Sequence, residues 1–156
     1  MAIKKIRETI RKLATLNNTP RQIASGVAVG VFIGCTPFYG FHSALALLCA
    51  FLIPGINRAA VFPGIFITNP TTVAFIYWFE YELGRYILGT KYPSLSWATM
   101  KQLWLQDIGR FFYPLAVGSL VLGLFTAFLF YLTTFFVVMK IRNKETLQEE
   151  VPSAVL

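Results

Sequence analysis

Gly30-Val31-Phe32-Ile33-Gly34-Cys35-Thr36-Pro37-Phe38-Tyr39-Gly40-Phe41 sits inside a run of apolar residues extending from about residue 22 to 53. A run this apolar reads as buried in a membrane, yet three glycines and a proline in twelve residues do not make an unbroken spanning helix. The fourteen residues from Arg21 to Gly34, at ~1.5 Å each, reach about 21 Å, short of a ~30 Å hydrocarbon core. The piece from Phe41 to Ile53 is shorter still. The block is therefore either one kinked crossing or a re-entrant helical hairpin that turns inside the membrane.

Working outward, 56% of the 156 residues are hydrophobic, 16% aromatic and only 13% charged, too few polar residues to cover a water-soluble domain. The apolar residues come in three blocks, roughly 22–53, 59–79 and 111–139. The net charge of +7 could suggest nucleic acid, but Lys and Arg collect at block edges, which suits anionic lipid headgroups and gives no reason to expect a nucleic-acid partner. Six of the fourteen (Lys4, Lys5, Arg7, Arg11, Lys12 and Arg21) precede the first block, and Lys140, Arg142 and Lys144 follow the last. By the positive-inside rule both termini are expected in the cytoplasm. No secretory signal pattern is evident, so insertion is expected without cleavage.

Residues 1–20 read as an amphipathic helix on the cytoplasmic leaflet, with Ile3, Ile6, Ile10, Leu13 and Leu16 on one face and basic residues on the other. Residues 21–88 hold two broken-helix blocks. Thirty-four residues after Gly30-Val31-Phe32-Ile33 and its Thr36-Pro37 comes Gly64-Ile65-Phe66-Ile67 and then Thr68-Asn69-Pro70, the pattern of an internal repeat. Glu80, Glu82, Gly84 and Arg85 read as a membrane edge, with Glu82 and Arg85 spaced for an ion pair. Residues 96–110, with Trp97 and Trp104, form a second expected interfacial helix. Tyr113 to Met139 carries no charge over twenty-seven residues and is the clearest transmembrane helix. Residues 145–156 read as a disordered tail, leaving 1–144 as one helical membrane domain.

Gly26, Gly30 and Gly34 share one helical stripe, as do Ser119, Gly123 and Ala127, and such stripes let helices approach closely, within a hairpin or between subunits. With both termini inside, the last span needs an odd number of earlier crossings. Block one is preferred as the re-entrant hairpin and block two, continued toward Leu88, as the crossing, with the reverse assignment open. The fold class expected is all-α: an integral membrane protein with broken or re-entrant helices, one clear C-terminal transmembrane helix and amphipathic interfacial helices.

From Gly26 to Gly89 the chain resembles the prokaryotic domain-of-unknown-function family 2062. The resemblance rests on the glycine-rich Gly30–Pro37, the Asn57-Arg58 turn, Thr68-Asn69-Pro70-Thr71-Thr72, and Tyr81–Gly84. It implies a small bacterial integral membrane protein with no activity attached to the family. Some relatives are joined to glycosyltransferase-like domains, which hints at envelope or lipid-linked glycan chemistry.

Catalytic groups are sparse. Cys35, His42 and Cys49 recur every seven residues, but Pro37 and Gly40 interrupt the helix between the first two and three ligands do not complete a zinc site, so neither metal nor cofactor is expected. No nucleophile elbow, phosphate loop or zincin motif occurs, and no enzymatic activity is expected. What remains is the polarity of the breaks: proline removes a donor, neighbouring carbonyls lose partners, and unpaired groups in hydrocarbon cost several kcal/mol each. Half-helix N-termini converging there would favour an anion. Thr36, Pro37, His42, Asn57, Arg58, Thr68, Asn69, Pro70 and Thr71 are the candidate substrate-binding residues. The expectation is a small transporter or flippase-like protein for an anionic or lipid-linked substrate, acting as a homo-oligomer in the bacterial inner membrane among anionic lipids. A small oligomeric ion channel and a non-catalytic scaffold for envelope enzymes are the alternatives.

Overall fold

A computed structural model describes residues 18–38, 40–89, 92–94, 96 and 108–153, with side chains to 143. Among these the chain is all-helical, without strands: α1 (Pro20–Gly34), α2 (His42–Leu52), α3 (Arg58–Ile65), α4 (Val73–Leu88) and α5 (Ile108–Ser153). The expected cytoplasmic amphipathic helix and most of the expected interfacial helix, residues 97–107, lie outside the described residues.

α5 is the axis on which the rest is assembled. Its 46 residues make a rod of about 69 Å, and Ile108–Asn143 is the one segment among the described residues long and apolar enough to cross a membrane. It begins before Tyr113 and continues through Ser153, so the disordered tail expected from 145 is corrected to helix. The reason is local: Glu, Leu and Gln dominate 145–150, and these are good helix formers that a helix already nucleated upstream can propagate into.

The other helices take their directions from contacts along α5. Arg142 at one end donates to the Asn18 carbonyl, Val138 packs on Ile23, and Gly123 faces Phe32 and Cys35, so α1 runs antiparallel to α5. Further along, Gly118 meets Glu80 and Pro114 meets Gly84, so α4 is antiparallel to α5 as well. α1 and α4 therefore point the same way. α3 lies beside α1 in parallel, with Asn57 and Ala60 against Gly26, Val61 and Gly64 against Gly30, and Ile65 and Ile67 against Gly34.

Block one thus turns back on itself while block two continues in one direction. α2 starts where α1 ends, with His42 bonded to Thr36, and returns so that the Asn57 amide donates to the Gln22 carbonyl at 2.9 Å. Gly40 (φ +95°) and Gly55 (φ +78°) make the two reversals in a region that side chains with a Cβ rarely enter. Block two breaks after Ile65 and resumes at Val73 without reversing.

Local chemistry sets the starts. Thr19 and Gln22 form a capping box, with Thr19 N donating to Gln22 Oε1 at 2.7 Å and Pro20 occupying the first turn. Asn57 Oδ1 accepts from Ala60 N at 3.0 Å and caps α3.

Size is distributed in an unusual way. Many fully buried positions are small, including Ala24, Ala46 and Ala60 at 0% exposure, whereas Phe41, Phe51, Phe66 and Phe75 are 64–78% exposed. Small residues lie inside and large aromatic ones outside, the reverse of what water selects.

Candidate functional site

The two interruptions meet. Both helices stop one after the other in the same direction, and the Thr68 hydroxyl of the second break donates to the Gly34 carbonyl of the first, residues thirty-four apart. Gly30 and Gly64 face each other at the same offset, a Cβ on Gly30 falling 2.9 Å from Gly64 Cα. The repeat read in the sequence is thus a contact between equivalent positions, though only its first helix and its break are repeated, because the second helices diverge.

Each break satisfies its own backbone. In the first, the Thr36 carbonyl just before Pro37 accepts from His42 Nε2 at 3.0 Å and from the Tyr77 hydroxyl at 3.2 Å, and Thr36 Oγ1 donates to Ile33 O at 2.6 Å. His42 is buried, and the bond to a carbonyl sets its Nε2 as the protonated nitrogen. In the second, Asn69 Oδ1 accepts from Thr71 N at 2.9 Å and Thr72 N at 3.1 Å, while Thr72 Oγ1 accepts from Asn69 N at 3.0 Å and donates to Ile67 O at 3.1 Å. This is an Asx-turn that starts α4. Thr36, Pro37, His42, Thr68, Asn69, Pro70 and Thr71 therefore belong to one polar layer where the blocks join.

Asn57 and Arg58 do not. They lie at the far end of the hairpin beside Gln22 and Gly26, because α2 carries the chain back along α1 before α3 begins. Asn57 is 4% exposed and serves as a helix cap, and Arg58 is exposed with its guanidinium 5.0 Å from the Phe51 ring centroid. Asn57→Ala should therefore act on stability, lowering it by about 1 kcal/mol through the lost cap. Thermal unfolding in detergent checks this, with Asn57→Ser, which keeps a capping oxygen without burying a charge, expected to lie closer to the parent.

The small-residue stripes are also used within the chain. Gly26, Gly30 and Gly34 receive α3, and Ser119, Gly123 and Ala127 are buried on the side of α5 that faces α1. Cys35 Sγ lies 3.5 Å from Thr126 Oγ1 across that seam.

Clefts open on the surface at the two ends of the α1–α5 seam. One of about 180 Å³ lies beside the first break, between Phe32, Thr36, Pro37 and Phe38 and the Phe112–Leu120 stretch of α5. The other, of about 590 Å³, lies at the opposite end between the start of α1 and the end of the apolar part of α5, where Phe135 and Met139 form an apolar wall beside Arg21 and Arg142.

Sequence reading placed Glu80 at an edge beside Glu82, and the structure corrects this. Glu82 does pair with Arg85, at 2.7 and 2.9 Å, but Glu80 is 0% exposed and neither of its carboxylate oxygens has a hydrogen-bond partner among the described residues. It lies where α4 and α5 approach closely at Gly84 and Gly118, its main-chain carbonyl against Gly118. The signal available in the sequence was the pair of small residues spaced to receive a helix, Gly84 and Gly118, with Glu80 one turn before the first.

These features define an all-helical protein built along one long apolar helix, with two proline-marked interruptions locked against each other. The chain belongs to the bacterial family described as "Uncharacterized protein conserved in bacteria (DUF2062)", which matches residues 3–146. None of the curated proteins and none of the solved structures matches it.

Proposed function

We propose that this is a small multi-pass protein of the bacterial inner membrane that moves an anionic or lipid-linked substrate, in the manner of a transporter or flippase. The observation that carries the reading is the joined pair of breaks, a layer of hydroxyl, amide and carbonyl groups inside an otherwise apolar body, with a cleft opening beside Thr36 and Pro37. Broken helices at a repeat interface are a recurrent way to place polar backbone within a bilayer.

Several features support lipid as the solvent. Only 17% of the most apolar window of α5 is buried, whereas the core helix of a soluble protein is mostly buried. Large aromatic residues face outward, and the interior is assembled from glycine and alanine, whose close packing replaces the hydrophobic driving force that lipid does not provide. In this arrangement the hairpin α1–α2 enters and leaves on the cytoplasmic side, α3 and α4 cross outward, and α5 returns. Anionic lipid headgroups fit the Arg21 and Arg142 cleft, with acyl chain along Phe135 and Met139. A homo-oligomer would assemble through the outer aromatic face, because the small-residue stripes are occupied within the chain.

A scaffold for envelope enzymes is the second reading, favoured by the internal pairing of the break groups, which leaves few of them to bind a substrate.

Ala116→Phe separates the two. It adds a ring at the wall of the cleft beside Thr36 while leaving the polar layer unchanged. In liposomes carrying a fluorescent phosphatidylglycerol or a polyprenyl phosphate, the parent should equilibrate the probe between leaflets and Ala116→Phe should slow this at least tenfold. Absence of movement by the parent with both probes would refute the transport reading, and a scaffold would be unaffected by the substitution.

A further inference from the structure

We propose that Glu80 is a proton-binding site whose ionisation parts α4 from α5 at the Gly84–Gly118 contact. The inference rests on the membrane placement given above and extends the transport reading by naming a cation, the proton, that could drive it.

The geometry leaves little choice of charge state. Glu80 has 0% exposure, its two carboxylate oxygens have no hydrogen-bond partner among the described residues, and no salt bridge to it occurs among them. From α5 its main-chain carbonyl meets Gly118, and the α5 residues packed on its neighbours Tyr81 and Gly84, which are Phe111, Pro114 and Leu115, are not ionisable. From its own helix the flanking groups are Tyr77, whose hydroxyl is bonded to Thr36, Tyr81, whose hydroxyl is bonded to the Pro93 carbonyl at 3.0 Å, and Glu82, which is paired with Arg85. From α1 the titratable group within electrostatic reach is the Cys35 thiol. A lone carboxylate ion in such surroundings loses its hydration and gains nothing in return. The closed conformation is therefore that of the neutral acid.

Stability does not account for a glutamate here, since an apolar side chain of similar volume would fill the same space without desolvating polar oxygens. Ionisable residues held inside a membrane commonly mark ion and proton pathways. Ionisation breaks the carboxyl O–H bond, the proton passes to water and the charge stays on the carboxylate. That charge needs water or a cation, and the way to admit either is to separate α4 from α5, where the backbones touch at Gly84 and Gly118 and Tyr81 packs on Leu115 and Phe111.

The position suits the role. Gly118 lies about six turns, or ~33 Å, before Lys140 along α5. With Lys140 at the cytoplasmic edge of a ~30 Å hydrocarbon layer, Glu80 sits near the outer edge, where protons enter in a respiring bacterium. The second break lies between it and the cytoplasm, and the first lies level with it, beside Ala116 and Ser119 of α5.

The experiment uses the full chain in liposomes with no substrate. Infrared difference spectra are taken between about pH 5 and 9 on the parent, Glu80→Gln and Glu82→Gln. The expected result is a protonated-carboxyl band that titrates in the parent and in Glu82→Gln and is missing in Glu80→Gln. In a Cys49→Ala background, the rate at which a small thiol reagent reaches buried Cys35 reports opening. It should rise with pH at least tenfold more in the parent than in Glu80→Gln, whose slope gives the intrinsic thiol response. Glu80→Leu serves in place of Glu80→Gln should the latter not fold. A titrating band that survives in Glu80→Gln, no titrating band in the parent, or equal Cys35 profiles would each overturn the proposal. Neither readout needs substrate movement, so failure of the transport assay and failure here are told apart.

Discussion

Gly30→Leu should leave little folded protein. A Cβ at this position falls 2.9 Å from Gly64 Cα and against the Val61 carbonyl, so the obstacle is main chain on both sides of the contact. A flexible side chain could move aside, but α3 cannot retreat without losing several contacts together. Its retreat would break the Thr68 bond to the Gly34 carbonyl, move the Asn57 amide off Gln22, and open the Val61–Ile65 contacts with Ile33, Ala46 and Ala50. Overpacking into a side-chain core typically costs ~1–3 kcal/mol, and a backbone obstacle places the cost at or above the upper end. Against a total stability of ~5–15 kcal/mol for a domain of this kind, such a loss is severe. Thermal unfolding and size-exclusion behaviour in detergent should show a broad, early transition and aggregated material. Gly123→Ala provides the contrast. Its added methyl meets the edge of the Phe32 ring at 3.2 Å, which can shift, and Cys35 Cβ at 3.3 Å, which asks α1 to give by only a few tenths of an ångström, while alanine gains up to ~1 kcal/mol of helix propensity over glycine. That variant should unfold within a few degrees of the parent. If Gly30→Leu unfolds like Gly123→Ala, α1 and α3 are not packed as described.

The unequal fate of the glycine and proline signals shows what could be read before any coordinates. Gly26, Gly30 and Gly34 declare a packing stripe because helical periodicity is local, and the structure places α3 on that stripe. What periodicity does not give is the partner, so contacts within the chain and between subunits looked alike. The breaks at Thr36-Pro37 and Asn69-Pro70 were legible for a similar reason, since proline acts on its own preceding turn. Their hydrogen-bond partners were not. Tyr77 reaches the Thr36 carbonyl from forty-one residues away, and no local rule ties the two. Asn57 and Arg58 were grouped with the breaks by composition alone, whereas the length of α2 decides that they end at the opposite pole. Glu80 was misread because its neighbours Glu82 and Arg85 are polar and partly exposed, while the close packing of α4 on α5 at Glu80 and Gly118 depends on a helix distant in sequence. The capping box at Thr19 and Gln22 was present in the sequence as a Thr-x-x-Gln pattern at the seam between the amphipathic helix expected over 1–20 and the first apolar block.

Asn69→Leu should cost about 1–3 kcal/mol, because it strands one backbone donor, Thr71 N, and takes from Thr72 N the side-chain acceptor that it shares with the Asn69 carbonyl at 3.0 Å. Both now bond to Asn69 Oδ1, and the Asx-turn they form sets where α4 begins. Losing it would free Val73 and the first turn of α4 to fray, and with them the registry that brings Tyr77 to the Thr36 carbonyl. Asn69→Asp keeps an acceptor oxygen in the same place and adds negative charge at the N-terminus of α4, where the helix dipole favours it. It should therefore retain most of the parent's stability, and the difference between the two variants, read as unfolding midpoints in the same detergent, isolates the acceptor from the volume of the side chain. The pair also decides how any loss of transport at Asn69 should be interpreted. If Asn69 binds substrate directly through its amide NH₂, Asn69→Asp should lose movement of an anionic probe despite folding normally, since the replacement presents a carboxylate to an anion. If Asn69 acts only by shaping the break, Asn69→Asp should move the probe at close to the parental rate while Asn69→Leu does not.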